Sequence, residues 1–195
     1  MIRRRFLAAA ASVPTWCAAS SAFAESGDPR FPTSVSTQID GKAIRLLLTG
    51  TAMRKKYGFS VYALASYVQE GTQVRNAEAL ARADVAKQLH LVFERQVDGA
   101  TIASSFRASI GAIHPAPAFS TELAKLERYF VSRNVQQGDN IWLTHIAGYG
   151  MACQVGNQGG VAIQSVPFSQ TAWSTYLGPI NLGVAIKEGL TSRLR

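Results

Sequence analysis

The spacing of apolar positions changes along the chain, and each change marks a predicted strand or helix. Residues 43–53 and 59–68 are rich in β-forming side chains and flank the charged stretch 54–58. They predict two strands joined by a charged turn. Asn76 is placed to cap a short helix over residues 76–84. The nearly continuous apolar run 89–93 is typical of a strand that is covered on both faces.

The middle of the chain has the spacing of two helices. Asp98 precedes a segment in which an apolar residue recurs every four positions, which predicts a helix with one buried face. A second segment, with apolar steps of four, three and four, predicts another. The apolar residues are Ile102, Phe106 and Ile110 in the first helix and Phe119, Leu123, Leu126 and Phe130 in the second.

The last third returns to strands and then closes with helices. Residues 139–147, 151–155 and 161–166 predict three strands separated by glycine-rich turns. Residues 169–177 predict a helix, and a final helix is marked by Ile186, Leu190 and Leu194. This order predicts an α+β domain, with a large antiparallel sheet and helices packed mainly on one face.

The N-terminus has the pattern of an export signal. Three arginines at positions 3–5 precede an Ala-rich apolar segment, and Ala22-Phe23-Ala24 supplies a small-x-small cleavage site. We therefore expect a signal peptide over residues 1–24, cleavage after Ala24, and a periplasmic protein. The arginines followed by Phe6-Leu7 also resemble a twin-arginine motif, so both export routes remain open.

Two further segments follow the signal. Residues 25–33 contain Gly27, Pro29 and Pro32 and predict an extended leader, which leaves 34–195 as one domain.

Composition and charge exclude several function classes. The chain has 195 residues, of which 47% are hydrophobic, so it is not disordered. Its formal charge of +8 falls to +5 once the three arginines of residues 1–24 are removed. This small charge, with a single basic run at 54–56, argues against nucleic acid as a partner. We expect a monomer with no transmembrane span after signal cleavage.

The common signatures of catalysis and cofactor binding are absent from the sequence. It contains no Gly-x-Ser-x-Gly, Walker, His-Glu-x-x-His or Cys-x-x-Cys motif. His90, His114 and His145 lack the spacing of metal ligands, so we expect no metal and no cofactor. Cys17 leaves with the signal, and Cys153 alternates with apolar neighbours in a predicted strand. We expect it to be a buried, inert thiol.

Two segments carry a family resemblance. Residues 49–68, TGTAMRKKYGFSVYALASYV, resemble the signature of the chalcone isomerase-like superfamily, in which a Gly-x-x-x-Arg turn precedes a Val-Tyr strand. Residues 173–179, WSTYLGP, followed by KEGL at 187–190, are similar to its closing segment. The resemblance spans most of 34–195 and is nearest to exported bacterial members. It implies an open-faced β-sandwich with a ligand cleft between the sheet and the helices.

The catalytic residues of the plant enzymes carry over only in part. Arg54 matches the arginine that holds the substrate's anion, and Thr175 matches a late threonine. Tyr57 stands where these enzymes have a threonine, and Ile102 and Ser109 replace a tyrosine and an asparagine. Whether the chain is an enzyme therefore stays open. If it is an isomerase, the resemblance assigns catalysis to Arg54 and Thr175.

The resemblance also includes members that bind fatty acids without isomerase activity. In these, the arginine and a nearby tyrosine hydroxyl hold the carboxylate, and Arg54 with Tyr57 resembles that pair. Tyr62 and Tyr67 are alternative hydroxyls, while apolar side chains would contact the tail. The expected ligand contacts are Arg54, Tyr57, Tyr62, Ile102, Phe106, Ser109, Thr175 and Tyr176.

We therefore expect a non-catalytic periplasmic domain that binds a small apolar anion, such as a fatty acid, with Arg54 as the anion anchor. Two alternatives remain. One is an isomerase, an intramolecular lyase, acting on a chalcone-like enone. The other is a protein of the cell envelope that contacts other proteins and has no small ligand.

Overall fold

Nine strands account for the β-structure of the computed structural model, which describes residues 28–194. The predicted signal peptide lies outside these residues. The strands are β1 Ser34–Ile39, β2 Lys42–Lys56, β3 Phe59–Gln69, β4 Lys87–Phe93, β5 Val97–Asp98, β6 Asn134–Val135, β7 Asn140–Ile146, β8 Gly150–Val155 and β9 Gly160–Ile163. Seven of them form one antiparallel sheet in the order β1-β2-β3-β4-β7-β8-β9, and β5 pairs with β6.

Five helices complete the fold of the described residues, and polar side chains cap three of them. The helices are α1 Ala77–Arg82, α2 Gly99–Ile113, α3 Ser120–Val131, α4 Val166–Leu177 and α5 Val184–Leu190. The side chains of Asn76, Asp98 and Ser165 accept backbone N–H groups at the starts of α1, α2 and α4. These bonds satisfy donors that a helix leaves unpaired at its N-terminus, so they fix where each helix begins.

The main core lies between the large sheet and the helices. Alternate residues of the strands point toward the helix layer, as β3 shows with Leu64 and Val68. Ala63, Ala65 and Tyr67 point to the opposite face and form a smaller cluster with Phe31. The predicted α+β architecture, with helices mainly on one face, is confirmed.

The structure adds a strand that was not predicted and shifts several predicted boundaries. β1 was not predicted, because its alternation of small polar and apolar residues is weak evidence for a strand. β2 continues to Lys56, so the predicted turn 54–58 shrinks to the two residues after it. The strand predicted over 161–166 ends at Ile163, because Ser165 already caps α4. The final helix is shorter than predicted, because α5 ends at Leu190. Leu194 follows the helix and packs against the main core.

Part of the predicted leader, residues 25–33, packs against the rest of the domain. In the predicted leader, Phe31 is only 1% exposed and packs on the sheet.

Within residues 28–194, no helix has both the length and the apolar character needed to cross a membrane.

The last helix runs along β2 in the opposite direction to the strand. The Thr49 hydroxyl donates to the Leu190 carbonyl at 2.8 Å, while Gly189 lies against Thr51 and Ala52. Further along β2, Arg54 contacts Leu182, which precedes the helix. The N-terminal end of α5 therefore lies toward the tip of the β2–β3 hairpin, and this places the segment 178–183 over Arg54.

Candidate ligand-binding site

Arg54 is a half-buried cation on the helix-facing side of the sheet. It stands opposite Tyr62 in the β2–β3 register and shares its face with Ala52 of the main core. Its Nη1 donates to the Leu182 carbonyl at 2.7 Å. Among residues 28–194, no carboxylate lies within ion-pair distance of it. The remaining guanidinium donors are therefore available to an anion.

Two tyrosines complete the polar part of the site. The Tyr62 hydroxyl interacts with the hydroxyl of Tyr176, which is 4% exposed. Burial raises the pKa of Tyr62, while the hydrogen bond with Tyr176 and the charge of Arg54 oppose the rise. Burial, followed by the interaction with Tyr62, raises the pKa of Tyr176 well above its ordinary value. Both phenols are therefore neutral at physiological pH and can act as hydrogen-bond donors.

Apolar side chains surround this cluster, which we define as Arg54, Tyr62 and Tyr176. The Tyr62 ring lies 5.3 Å from that of Phe93, and Tyr176 belongs to the main core. One cation beside a hydrogen-bonded pair of neutral phenols in apolar surroundings suits a singly charged oxygen anion, because charge-assisted hydrogen bonds strengthen where water is excluded.

The segment 178–183 covers the cluster in this form of the protein. Two surface hollows of about 470 Å³ each are lined by other residues, one along α3 and one between α1 and α5. Neither reaches Arg54, Tyr62 or Tyr176. The acceptor that the Arg54 guanidinium contacts is the Leu182 carbonyl.

Comparison with known proteins assigns the family. The family model described as chalcone isomerase-like matches residues 29–191. The chain belongs to the chalcone isomerase-like family. Its resemblance at residues 49–68 and 173–190 is thereby confirmed.

A solved structure gives the same fold. A fatty-acid binding protein of Arabidopsis thaliana has a TM-score of 0.65 at 15% identity, covering 85% of this chain and 94% of the other. At this identity the likeness establishes the fold alone, and it agrees with the expected sheet with one helix layer. A search of curated protein sequences finds no match.

Of the three tyrosines considered in this chalcone isomerase-like chain, only Tyr62 stands beside Arg54. Tyr57 occupies the hairpin turn with a positive φ of 51° and is 89% exposed. The prediction that Tyr57 lies in the cleft is wrong. β2 directs the Arg54 side chain toward the helix layer, whereas the turn directs the Tyr57 side chain into solvent. Tyr67 lies in the smaller cluster on the opposite face. The alternation of side chains along β3 separates it from Arg54.

The other expected contacts divide into helix packing and core. The Thr175 hydroxyl donates to the Ala172 carbonyl of its own helix at 2.7 Å. Ile102 is 7% exposed in the main core, and Phe106 stacks on Phe130 with ring centroids 5.6 Å apart. Ser109 is half-buried on α2. The structure thus shows these residues in the packing of the helix layer.

A buried polar cluster that the sequence did not predict lies elsewhere in the helix layer. The His145 ring is hydrogen-bonded to the Ser169 hydroxyl at 2.7 Å and to the Asp84 carboxylate at 2.8 Å. Burial is the main cause that lowers the pKa of His145, helped by the charge of Lys87. The arrangement resembles a nucleophile triad, but Ser169 is 0% exposed and no substrate can reach it.

Neither cysteine chemistry nor metal ligation is supported by the described residues. Cys153 is 1% exposed, and burial raises the pKa of its thiol, so the thiolate needed for reaction is suppressed. In the range 28–194, no group of three His, Cys, Asp or Glu side chains is arranged to hold a metal ion.

Proposed function

We propose that this protein is an exported, non-catalytic binding protein for a small apolar carboxylate such as a fatty acid. The Arg54 guanidinium anchors the carboxylate and the Tyr62 hydroxyl donates to it, while the Tyr176 hydroxyl donates to Tyr62. The observation that carries the proposal is the single hydrogen bond from Arg54 to the neutral Leu182 carbonyl, with no carboxylate beside it in residues 28–194.

Binding is favourable because Arg54 exchanges the Leu182 carbonyl for a carboxylate as its hydrogen-bond acceptor. The Leu182 carbonyl accepts one hydrogen bond from the guanidinium, whereas a carboxylate carries the opposite charge and can accept two parallel hydrogen bonds from it. Since Leu182 is part of the covering segment 178–183, binding requires that segment to move and release Arg54. The apolar tail then lies between β3 and α4, where Tyr62 and Tyr176 already meet apolar neighbours.

The side chains around Arg54 support binding rather than catalysis. An isomerase needs groups that donate to, or take a proton from, the reacting atoms. The Thr175 hydroxyl already donates to the Ala172 carbonyl, and the Ile102 side chain has no polar atom. The family match and the fatty-acid binding protein that shares the fold are consistent with the binding function.

The periplasmic location is part of this proposal and rests on the N-terminal sequence. The arginines at 3–5, the apolar stretch after them and Ala22-Phe23-Ala24 have the order of a cleaved export signal.

Arg54→Ala should weaken binding of a long-chain fatty acid about 10- to 100-fold, because one charge-assisted anchor is lost. The measurement is a calorimetric titration of residues 25–195 with fatty acids of several chain lengths. The matched control is Arg45→Ala, since Arg45 lies on the same strand but is exposed and pairs with Glu70 at 3.2 Å.

The control variant should bind as the unchanged protein does. Circular dichroism should show that Arg54→Ala retains its fold, because Arg54 makes one hydrogen bond to the rest of the structure. Equal affinities in Arg54→Ala and Arg45→Ala would rule out Arg54 as the anion anchor.

A further inference from the structure

The tip of the β2–β3 hairpin combines exposed aromatic side chains with cations. We define this tip as Lys55, Lys56, Tyr57, Phe59 and the adjacent Arg95. We propose that the tip docks onto the surface of an anionic phospholipid membrane, with its aromatic rings at the headgroup level and its cations against lipid phosphates.

The two aromatic side chains of the tip are largely exposed. Tyr57 is 89% exposed and Phe59 66% exposed, among the few large apolar side chains that the domain leaves in water. Exposed aromatic rings on a protruding turn are costly in water and favourable at a membrane interface. The two residues flank Gly58 at the same hairpin turn.

The cations of the tip are not neutralised by the protein. Residues 41–69 contain five basic residues and no acidic one. Within the described range, Lys55, Lys56 and Arg95 form no ion pair. Instead, Lys56 lies 5.4 Å from the centroid of the Tyr57 ring, and Arg95 lies 5.7 Å from that of Phe59. Each exposed ring is therefore accompanied by a cation with free donors.

A second exposed apolar group lies toward the same end of the molecule. Ile180 is 53% exposed and Val184 is 67% exposed, and they flank Leu182, whose carbonyl binds Arg54. Because α5 runs against β2, its N-terminal end points toward the hairpin tip. The exposed side chains of Ile180 and Val184 therefore lie toward the end of the molecule that carries the tip.

The shape and charge favour a membrane over an acidic protein. A protruding turn with two aromatic rings needs a pocket in a protein partner, whereas a bilayer interface accepts it without one. Anionic phospholipids also attract lysines near the surface through several headgroups at once. An acidic protein partner remains a distinct outcome of the test.

Docking would bring the segment 178–183, which contacts Arg54 through Leu182, near the bilayer. The docking surface itself does not depend on the ligand. The inference that docking serves ligand transfer does rest on the proposed function.

Sedimentation with vesicles tests the docking. Residues 25–195 are mixed with vesicles of phosphatidylcholine alone or with 30% phosphatidylglycerol added. The charge variant is Lys55→Glu/Lys56→Glu, and the aromatic variant is Tyr57→Asn/Phe59→Ser, in which Asn suits the left-handed backbone. The matched charge control is Lys125→Glu/Arg128→Glu, on the exposed side of α3.

We expect binding to the anionic vesicles only, weakened at least about 30-fold in the charge variant. The aromatic variant should lose about tenfold, and the control less than about threefold. No binding by the unchanged protein, or equal losses in the charge variant and its control, overturns the proposal. Binding that survives in the aromatic variant also overturns it, because the tip then recognises any polyanion, including an acidic protein.

The fatty-acid titration separates this proposal from the proposed function. The charge variant should keep the affinity of the unchanged protein for fatty acid in vesicle-free solution, because Lys55 and Lys56 are exposed and lie outside the Arg54 cluster. Vesicle binding without fatty-acid binding would leave the docking intact and remove the carrier function. Fatty-acid binding without vesicle binding would do the reverse.

Discussion

Gly50→Ala should lower the free energy of unfolding by about 3 kcal/mol or more. Gly50 lies at a bulge of β2 with a φ of 155°, and a Cβ there would stand 2.1 Å from the carbonyl oxygen of Gly189 and 2.7 Å from the carbonyl carbon of Leu190. Both atoms are backbone, so no side-chain rotation relieves the overlap. The substitution must displace α5, and it combines overpacking with backbone strain.

The same substitution at Gly111 provides the control. Gly111 is inside α2, and a Cβ there meets nothing within 4 Å. Gly111→Ala should therefore stabilise the protein by up to about 1 kcal/mol, because alanine favours the helix. Urea unfolding of the two variants measures both values. A Gly50→Ala variant as stable as the unchanged protein would show that α5 does not pack closely on β2.

Lys87→Met should lower the free energy of unfolding by about 3 kcal/mol, for a different reason. Lys87 is fully buried, and its Nζ donates to the carbonyls of Leu80, Ala81 and Ala83 at 2.8, 2.7 and 2.6 Å. Burial lowers the pKa of Lys87 to about 7, and its amino group donates to carbonyls that the end of α1 leaves unpaired. Methionine keeps the length of the side chain but leaves three acceptors without a donor.

Lys42→Met is the matched control for Lys87→Met. Lys42 is exposed at the start of β2, so its substitution should change the free energy of unfolding by less than about 0.5 kcal/mol. Chemical denaturation of both variants gives the comparison. A decrease of less than about 1 kcal/mol in the free energy of unfolding of Lys87→Met would contradict this. It would mean that removing the cost of burying the Lys87 amino group offsets the loss of its hydrogen bonds.

Apolar spacing was sufficient to predict most of the elements but not their limits. The core positions of α2 and α3 followed from steps of three and four, because that spacing places one face of a helix against the sheet. The limits of β2 could not be predicted in this way. A run of Arg, Lys and Lys looks like a turn in sequence, yet pairing of Arg54 with Tyr62 continues the strand through it.

The difference at β2 also decides the site. In a turn, Arg54 would be a solvated charge, whereas in a strand its direction is fixed toward the helix layer, where Leu182 accepts from it. The resemblance of residues 49–68 to the family pointed to Arg54, and no local pattern could show which tyrosine joins it. Tyr57 is nearer in sequence, but pairing between strands brings Tyr62 to Arg54 and turns Tyr57 into solvent.

Buried polar residues were the least predictable part of the structure. Lys87 looks like an ordinary surface lysine at the start of a strand, and Ser169 like an ordinary helix residue. Their burial depends on the packing of α4, because the Lys87 Nζ lies 5.5 Å from the centroid of the Trp173 ring and Ser169 is hydrogen-bonded to His145 of β7. Sequence spacing carries no signal of such contacts, so their chemistry appears only in the folded structure.

Native mass spectrometry of residues 25–195, purified without detergent, tests the central claim most directly. The bound fraction is extracted and identified for the unchanged protein, Arg54→Ala and Arg45→Ala. The account predicts a fatty acid or similar apolar carboxylate on the unchanged protein and on Arg45→Ala, and its loss from Arg54→Ala. The same molecule bound equally to all three proteins, or none on the unchanged protein followed by no binding when fatty acid is added, would contradict it.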